Sequence, residues 1–295
     1  MTRCGVVAFL GASNVGKSTL LNRLVGQKVS IVSPKVQTTR SKIRGIAVYG
    51  DTQLIFIDTP GVFKPRKRLE RAMVSAAWDE ALDADVRLVV IDAQQKIDDN
   101  TQAILQKLPE KSALVVLNKI DLIEKAALLP LINALKDIPS VDEIFCISAQ
   151  TGENVDQLLQ ALVKRMPTAP FMYPEDQVSD LPQRLFAAEI TREKIFYLLR
   201  QELPYSIAVA TTGWSESDEA VRIEQTIFVE RTGQKAIVIG KKGAMLAKIG
   251  SAARLAMTKA FGKTVHLFLL VKVKENWADD PERYKEWGLD FNAKN

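Results

Sequence analysis

Eight residues near the start of the chain, Gly11-Ala12-Ser13-Asn14-Val15-Gly16-Lys17-Ser18, constrain its fold more than any other stretch. They follow the pattern GxxxxGK[ST]. An apolar run at 6–10 precedes them, and a helical period over 18–25 follows. Strand, glycine loop and helix in that order turn backbone N–H groups toward an anion, and the positive end of the helix dipole adds to the attraction. Lys17 would reach the β- and γ-phosphates of a nucleoside triphosphate, and the Ser18 hydroxyl would hold magnesium. The plain alternative, a glycine turn joining a strand to a helix, requires neither the lysine nor the hydroxyl.

The first 165 residues repeat this alternation. Apolar runs at 54–58, 88–92, 114–118 and 144–148 read as further buried strands, and 69–82, 102–108, 126–135 and 155–165 read as helices. Such an order predicts a mostly parallel sheet with helices on both faces, and ligands at the C-terminal ends of its strands. The strand ends carry the chemistry expected there. Asp58-Thr59-Pro60-Gly61 closes one strand, so that Asp58 would hold magnesium through water and the Gly61 N–H would face the γ-phosphate. Asn118-Lys119-Ile120-Asp121 closes another. Guanine offers two N–H donors that the Asp121 carboxylate can accept, whereas adenine would leave that carboxylate unpaired. Asn118 can contact base and loop, and the Lys119 stem can cover the ring. Ser148-Ala149-Gln150 follows the last strand and would buttress the base. Four boxes in this order resemble the P-loop GTPases of the translation-factor class. Between them, Val36-Gln37-Thr38-Thr39-Arg40 suits a switch loop. Thr39 is the preferred second protein ligand for magnesium, with Thr38 as the alternative.

One position departs from the Ras-like pattern. The residue after Asp58-Thr59-Pro60-Gly61 is Val62, where a glutamine would orient the attacking water. The sequence resembles GTPases with a hydrophobic residue at this place. In several of those a P-loop asparagine holds a potassium ion, and Asn14 stands at the matching position. The other reading of Asn14 is a loop-stabilising amide. The catalytic set is therefore Lys17, Asn14, Thr39 and Gly61, with Mg2+ as cofactor, K+ as a candidate activator, and slow intrinsic hydrolysis.

Pro167, Pro170, Pro174 and Pro182 mark residues 166–182 as a linker. Beyond it the order changes. A helix at 183–202, strands at 205–212 and 219–230 around a polar loop at 213–218, a helical stretch at 236–259 broken at 240–243, and a strand at 264–273 predict an α+β domain over 183–295 with a C-terminal extension. Charge is segregated within it. Residues 231–274 contain ten lysines and arginines and no aspartate or glutamate, while 171–230 carry five basic and eleven acidic groups. A basic segment of this kind suits a phosphate backbone. Inside it, Ile239-Gly240-Lys241-Lys242-Gly243 is the GxxG loop of a type II KH fold, which clamps single-stranded RNA. Lys248 lies just beyond, and Ile237, Ile239, Leu246 and Ile249 are candidates for an apolar groove that receives bases. The basic run Lys64-Pro65-Arg66-Lys67-Arg68 lies where nucleotide state should reorder the chain, and is either solvated or a coupling element.

A GTPase domain followed by a KH domain in 295 residues resembles the Era family of bacterial GTPases across essentially the whole chain. Gln37-Thr38-Thr39-Arg40, Glu202-Leu203-Pro204-Tyr205-Ser206, residues 233–250 and Val271-Lys272-Val273-Lys274 with Trp277 carry that resemblance beyond the nucleotide boxes. It implies GTP and GDP as ligands, binding to the 3′ end of 16S ribosomal RNA and assembly of the small (30S) subunit. It also implies peripheral association with the inner membrane. An RNA-binding scaffold with vestigial hydrolysis and a GTPase of transfer-RNA modification are the other classes. The latter would bring a catalytic domain or cysteine motif of its own. No DNA partner is expected, and the chain is expected to be a monomer.

Composition fits a soluble protein, at 47% hydrophobic and 25% charged residues with a net charge of +5. Two distant cysteines, Cys4 and Cys146, and a single histidine argue against a disulfide framework and a zinc site. Cys146 reads as a core thiol. The apolar run at 6–10 ends in a glycine loop and not a cleavage site, so the expected location is the cytoplasm.

Overall fold

The computed structural model describes residues 1–35, 38, 43–63, 65, 67–199 and 203–293. The chain divides into two compact units, one of Met1–Val32, Val36–Asp180 and Tyr284–Asn295, the other of Ser33–Lys35 and Leu181–Arg283.

The first unit is built on a six-stranded sheet. In chain order its elements are β1 (Arg3–Leu10), α1 (Lys17–Val25), β2 (Ile43–Tyr49), β3 (Thr52–Asp58), α2 (Arg68–Asp83), β4 (Val86–Asp92), α3 (Asp99–Lys107), β5 (Ala113–Asn118), α4 (Leu128–Leu135), β6 (Val141–Cys146) and α5 (Val155–Arg165). The strand order is β2-β3-β1-β4-β5-β6. Every pair is parallel except β2 with β3. Alternation along β1 explains the two-faced core. Val7 and Phe9 join Leu20, Leu21, Leu158 and Leu162 on the face of α1 and α5. Ala8 and Leu10 join Ala77, Ile104, Leu105 and Leu135 on the opposite face. The sheet is therefore buried on both sides, as parallel sheets are.

Three sequence expectations shift in detail. β2 has no counterpart among the expected strands; Arg44 and Gly45 interrupt its apolar pattern. The last strand begins at Val141 and ends at Cys146, ahead of the expected 144–148. Asp142 and Glu143 hide its start, and they are tolerated because β6 is an edge strand exposing both to Arg165. Cys146 is half-buried, and burial pushes its thiol pKa up.

Residues read as a linker run along the first unit. Thr168 and Ser179 bridge to Arg3 and Gly45. The fully buried Gln53 side chain accepts from the Met172 and Tyr173 N–H groups and donates to the Tyr173 carbonyl. Residues 284–295, which the sequence assigns to the second domain, group with the first.

The second unit contains α6 (Gln183–Leu198), β7 (Ile207–Glu216), β8 (Ala220–Val229), α7 (Thr232–Ile239), α8 (Ala244–Phe261) and β9 (Thr264–Val273). β7 and β8 are antiparallel, and β9 joins β8 in parallel after the α7–α8 crossover. β7 continues through the expected polar loop to Glu216, with a register shift between Thr211 and Gly213. Helices cover one sheet face, where Ile207, Ile227, Val229, Val238 and Ile249 form the core. Among the described residues no helix is long and apolar enough to cross a membrane.

Phe56 is fully buried and stacks on Phe9 with ring centroids 5.9 Å apart. Phe56→Ala should cost about 3–5 kcal/mol in urea unfolding of the full chain. The transition of the first unit should move to lower urea while that of the second stays in place.

Candidate functional site

The phosphate loop turns tightly because three of its residues adopt positive φ: Gly11 at 137°, Asn14 at 66° and Gly16 at 101°. A Cβ on Gly11 would strike the Val90 carbonyl, and one on Gly16 would strike the Asn118 amide. α1 starts immediately after, with Gly16 as its N-cap. Lys17 is buried, and its ammonium donates to the Gly11 and Ala12 carbonyls at 3.0 and 2.8 Å. Burial lowers its pKa to about 8, opposed by the nearby Asp58 carboxylate. A polyphosphate would supply the counter-charge that such a lysine calls for.

Ser18 and Asp58 meet at the loop's end. The Ser18 hydroxyl donates to Asp58 Oδ2 at 2.6 Å, and Ser30 donates to the same oxygen at 2.8 Å. Ser30 is held there by Asn22, whose side chain accepts from the Val29 and Ser30 N–H groups and donates to the Ser30 carbonyl. A hydroxyl beside a carboxylate is an oxygen donor set suited to magnesium. Asp58, Thr59, Pro60 and Gly61 are all buried. Thr59 donates to the Phe9 carbonyl at 2.5 Å. Gly61 lies against Ser13 so closely that a Cβ would come within 2.7 Å of the Ser13 hydroxyl. The Val62 N–H donates to the Gly11 carbonyl at 3.0 Å, and its side chain packs into the core with Ala8 and Leu10. Val62 thus faces the protein interior and offers a water nothing to bond. Asn14 is exposed at the lip of the loop. Thr39 lies outside the described residues, and Thr38 is half-buried.

The base-reading side converges on the same loop. Asn118 is 2% exposed; its amide donates to the Val15 carbonyl and accepts from the Ala149 N–H, both at 2.8 Å. Lys119 has a φ of 69° and its ammonium meets Asp92 at 2.6 Å, which fixes the stem. Ile120 is buried and Asp121 is exposed, so the carboxylate is open to a base. Ser148 is fully buried, and its hydroxyl accepts from the Thr151 N–H. Arg23 of α1 donates to the Ala149 and Gln150 carbonyls at 2.5 and 2.6 Å. Asn22, Arg23, Ser30 and Asp92 contact the loops of the site and were missed by the sequence reading. Only Asp92 carried a signal, an acidic residue closing a buried strand as Asp58 does.

In the second unit, Gly240 and Gly243 take positive φ of 72° and 80° and Lys242 takes 52°. Gly240 is obligatory, since a Cβ would lie 2.7 Å from that of Met245, whereas Gly243 faces open space. Lys241, Lys242 and Lys248 are exposed. Beside the loop lies a cavity of about 410 Å³ between α8 and β9, lined among others by Gly243, Leu246, Gly250, Arg254, Leu267 and Leu269. Of the apolar groove candidates only Leu246 lines it. Ile249 is fully buried, Ile239 packs on the core, and Ile237 points outward. The helical period identified α8 but not which side of it meets β9.

Residues 6–119 match the family described as 50S ribosome-binding GTPase, and residues 202–278 match the KH domain. The GTPase Era of Bradyrhizobium sp. (strain ORS 278) is 53% identical over 293 residues, covering 98% of this chain and 95% of that protein. The chain belongs to the Era family of GTPases. Era of Rhizobium meliloti (strain 1021) is likewise 53% identical over 98% of the chain and 94% of its own length. The crystal structure of Era with MgGDPNP and nucleotides 1506–1542 of 16S ribosomal RNA superposes with a TM-score of 0.92 at 41% identity, covering 98% and 99% of the two chains. A tyrosine-to-alanine variant of Aquifex aeolicus Era bound to GDP and AlF4− gives 0.91 at 40%, covering 97% and 99%. The expected order of an α/β P-loop GTPase domain followed by a type II KH domain is the Era order.

Asp121→Asn tests base selection. The amide presents a donor where guanine also donates, so GTP affinity should fall by about 1–3 kcal/mol while xanthosine triphosphate gains. Unchanged GTP affinity in calorimetric titration would remove Asp121 from the base site.

Proposed function

We propose that this chain is a GTP-controlled assembly factor of the small (30S) ribosomal subunit, gripping single-stranded RNA at the 3′ end of 16S ribosomal RNA. One observation carries the reading. A nucleotide cradle and a GxxG groove set in an acid-free basic segment occur in one chain, and the Era complex that resembles it along its whole length holds ligands of both kinds. The cytoplasm, where subunits assemble, is its place of action.

Residues 11–18 wrap the phosphates with backbone N–H groups, and Lys17 exchanges the Gly11 and Ala12 carbonyls for phosphate oxygens. Ser18 and Asp58 hold magnesium, with Thr39 as the further ligand and Thr38 as its alternative. The bound ion neutralises charge between the β- and γ-phosphates. Gly61 presents its N–H to the γ-phosphate, so loss of that group releases the segment from Asp58 to Val62. Asp121 reads guanine, with Lys119 flat against the ring and Ser148 and Ala149 behind it.

Val62 packs inward, which supports slow intrinsic hydrolysis and a source of catalysis other than its side chain. Asn14, exposed in the phosphate loop, would bind potassium beside the phosphates. RNA lies across Gly240–Gly243, with Lys241, Lys242 and Lys248 on its phosphates and its bases in the α8–β9 groove.

Single-turnover hydrolysis should run at least about tenfold faster in potassium than in sodium. Asn14→Ala should abolish that difference with little loss of GDP affinity; equal rates in the two salts refute the role. Gly243→Asp keeps a φ that aspartate tolerates and adds a charge at the RNA backbone. It should weaken RNA binding roughly tenfold or more and leave nucleotide binding intact.

A further inference from the structure

β9 is an edge strand with two working faces. Its odd residues, Leu267 and Leu269, line the groove beside Gly243. Its even residues, His266, Phe268, Leu270 and Lys272, point to the sheet face away from the helices, and all four are exposed. Phe268 keeps 48% of its surface in solvent and Leu270 keeps 52%. Large apolar side chains this open are a cost unless something is laid upon them. The strip is not bare of charge. The Arg222 guanidinium of neighbouring β8 lies 4.2 Å from the centre of the Phe268 ring, and Glu224 fixes it there with a 2.8 Å ion pair. His266 and Lys272 flank the apolar pair along the strand. The same face is closed at its other end, where Arg283 caps the Phe228 ring at 4.4 Å.

An open ring carrying a stacked guanidinium, with a lysine further along the same strand, is the composition on which unpaired bases stack while the backbone finds counter-charge. We propose that the outer face of β9, centred on Phe268 with Arg222, Leu270 and Lys272, is a second RNA platform. It takes the nucleotides that flank those held in the groove. The two faces belong to one strand at the sheet's edge, so an RNA leaving the groove need only turn around that edge to reach the ring. Residues 231–274 contribute no acidic group to this path, and Glu224 on the neighbouring strand is paired with Arg222. This inference rests on the RNA-binding reading of the groove.

The test compares two oligoribonucleotides from the single-stranded part of the 16S 3′ end by fluorescence anisotropy. One has about four nucleotides, enough for a KH groove, and the other about ten. Phe268→Ala should weaken binding of the longer RNA about tenfold, within the range for one lost base stack, and leave the shorter within twofold. Arg222→Gln should act the same way to a smaller degree. Both residues are exposed, and matching thermal melts will show that the fold is kept. Equal affinity of the wild type and Phe268→Ala for the longer RNA overturns the platform and leaves the groove standing. Equal weakening of both RNAs also overturns it. Failure of the wild type to bind either RNA removes the groove reading, and the platform with it. A Phe268→Ala protein that binds the longer RNA normally but no longer sediments with 30S subunits assigns the strip to a protein and overturns the proposal.

Discussion

The nucleotide site hangs on one side chain. Asn118 spans from the Val15 carbonyl in the phosphate loop to the Ala149 N–H in the base-side loop, and its amide is buried in the attempt. Backbone segments more than a hundred residues apart in sequence are thereby held by two hydrogen bonds from one planar group. A primary amide donates from its nitrogen and accepts at its oxygen, so one planar group can hold both segments. The same amide lies against Gly16, which is why that position has no room for a Cβ. Arg23 repeats the tie from α1 to the base-side loop. The loops stay where the sheet delivers them because these links cross between strand ends.

Those strand ends explain why so much was legible in advance. Buried parallel strands must be continuous apolar runs, and each ended in a polar box that has no business in a core. Gly11–Ser18, Asp58–Gly61, Asn118–Asp121 and 148–150 therefore announced both the sheet and its crevice. The parts that stayed hidden are those whose role depends on who faces them. Asn22 and Arg23 look like ordinary polar helix positions until Ser30 and Ala149 are set opposite. β2 escaped notice because Arg44 and Gly45 interrupt its apolar run. Ile249 carries the right chemistry for a groove, yet a rotation of the helix by one position decides between groove and core. Thr39, on which the magnesium reading leans, falls among residues the structure does not describe.

Electrostatics divides the labour between the two units. In the first, charge is buried and local: Lys17 is held below its usual pKa, Asp58 takes two hydroxyls, and Asp92 clamps Lys119. Each group answers to a phosphate, a metal or a base of defined shape. In the second, the cations of 231–274 are spread over exposed positions, and the apolar groove supplies the shape. A compact anion is met by fixed dipoles, and an extended one by a field.

The strap formed by residues 166–180 sets where the chain can be divided. Gln53 sits fully buried because Met172 and Tyr173 give it hydrogen-bond partners, and Ile46 and Arg44 bind the Val178 carbonyl and Asp180 in the same fashion. A GTPase fragment cut at residue 165 would keep every nucleotide box and lose the Met172 and Tyr173 backbone groups that bond the Gln53 amide. A catalytic half that keeps this strap runs past Asp180, beyond the last residue that touches its chemistry, and the first unit takes in Tyr284–Asn295 as well.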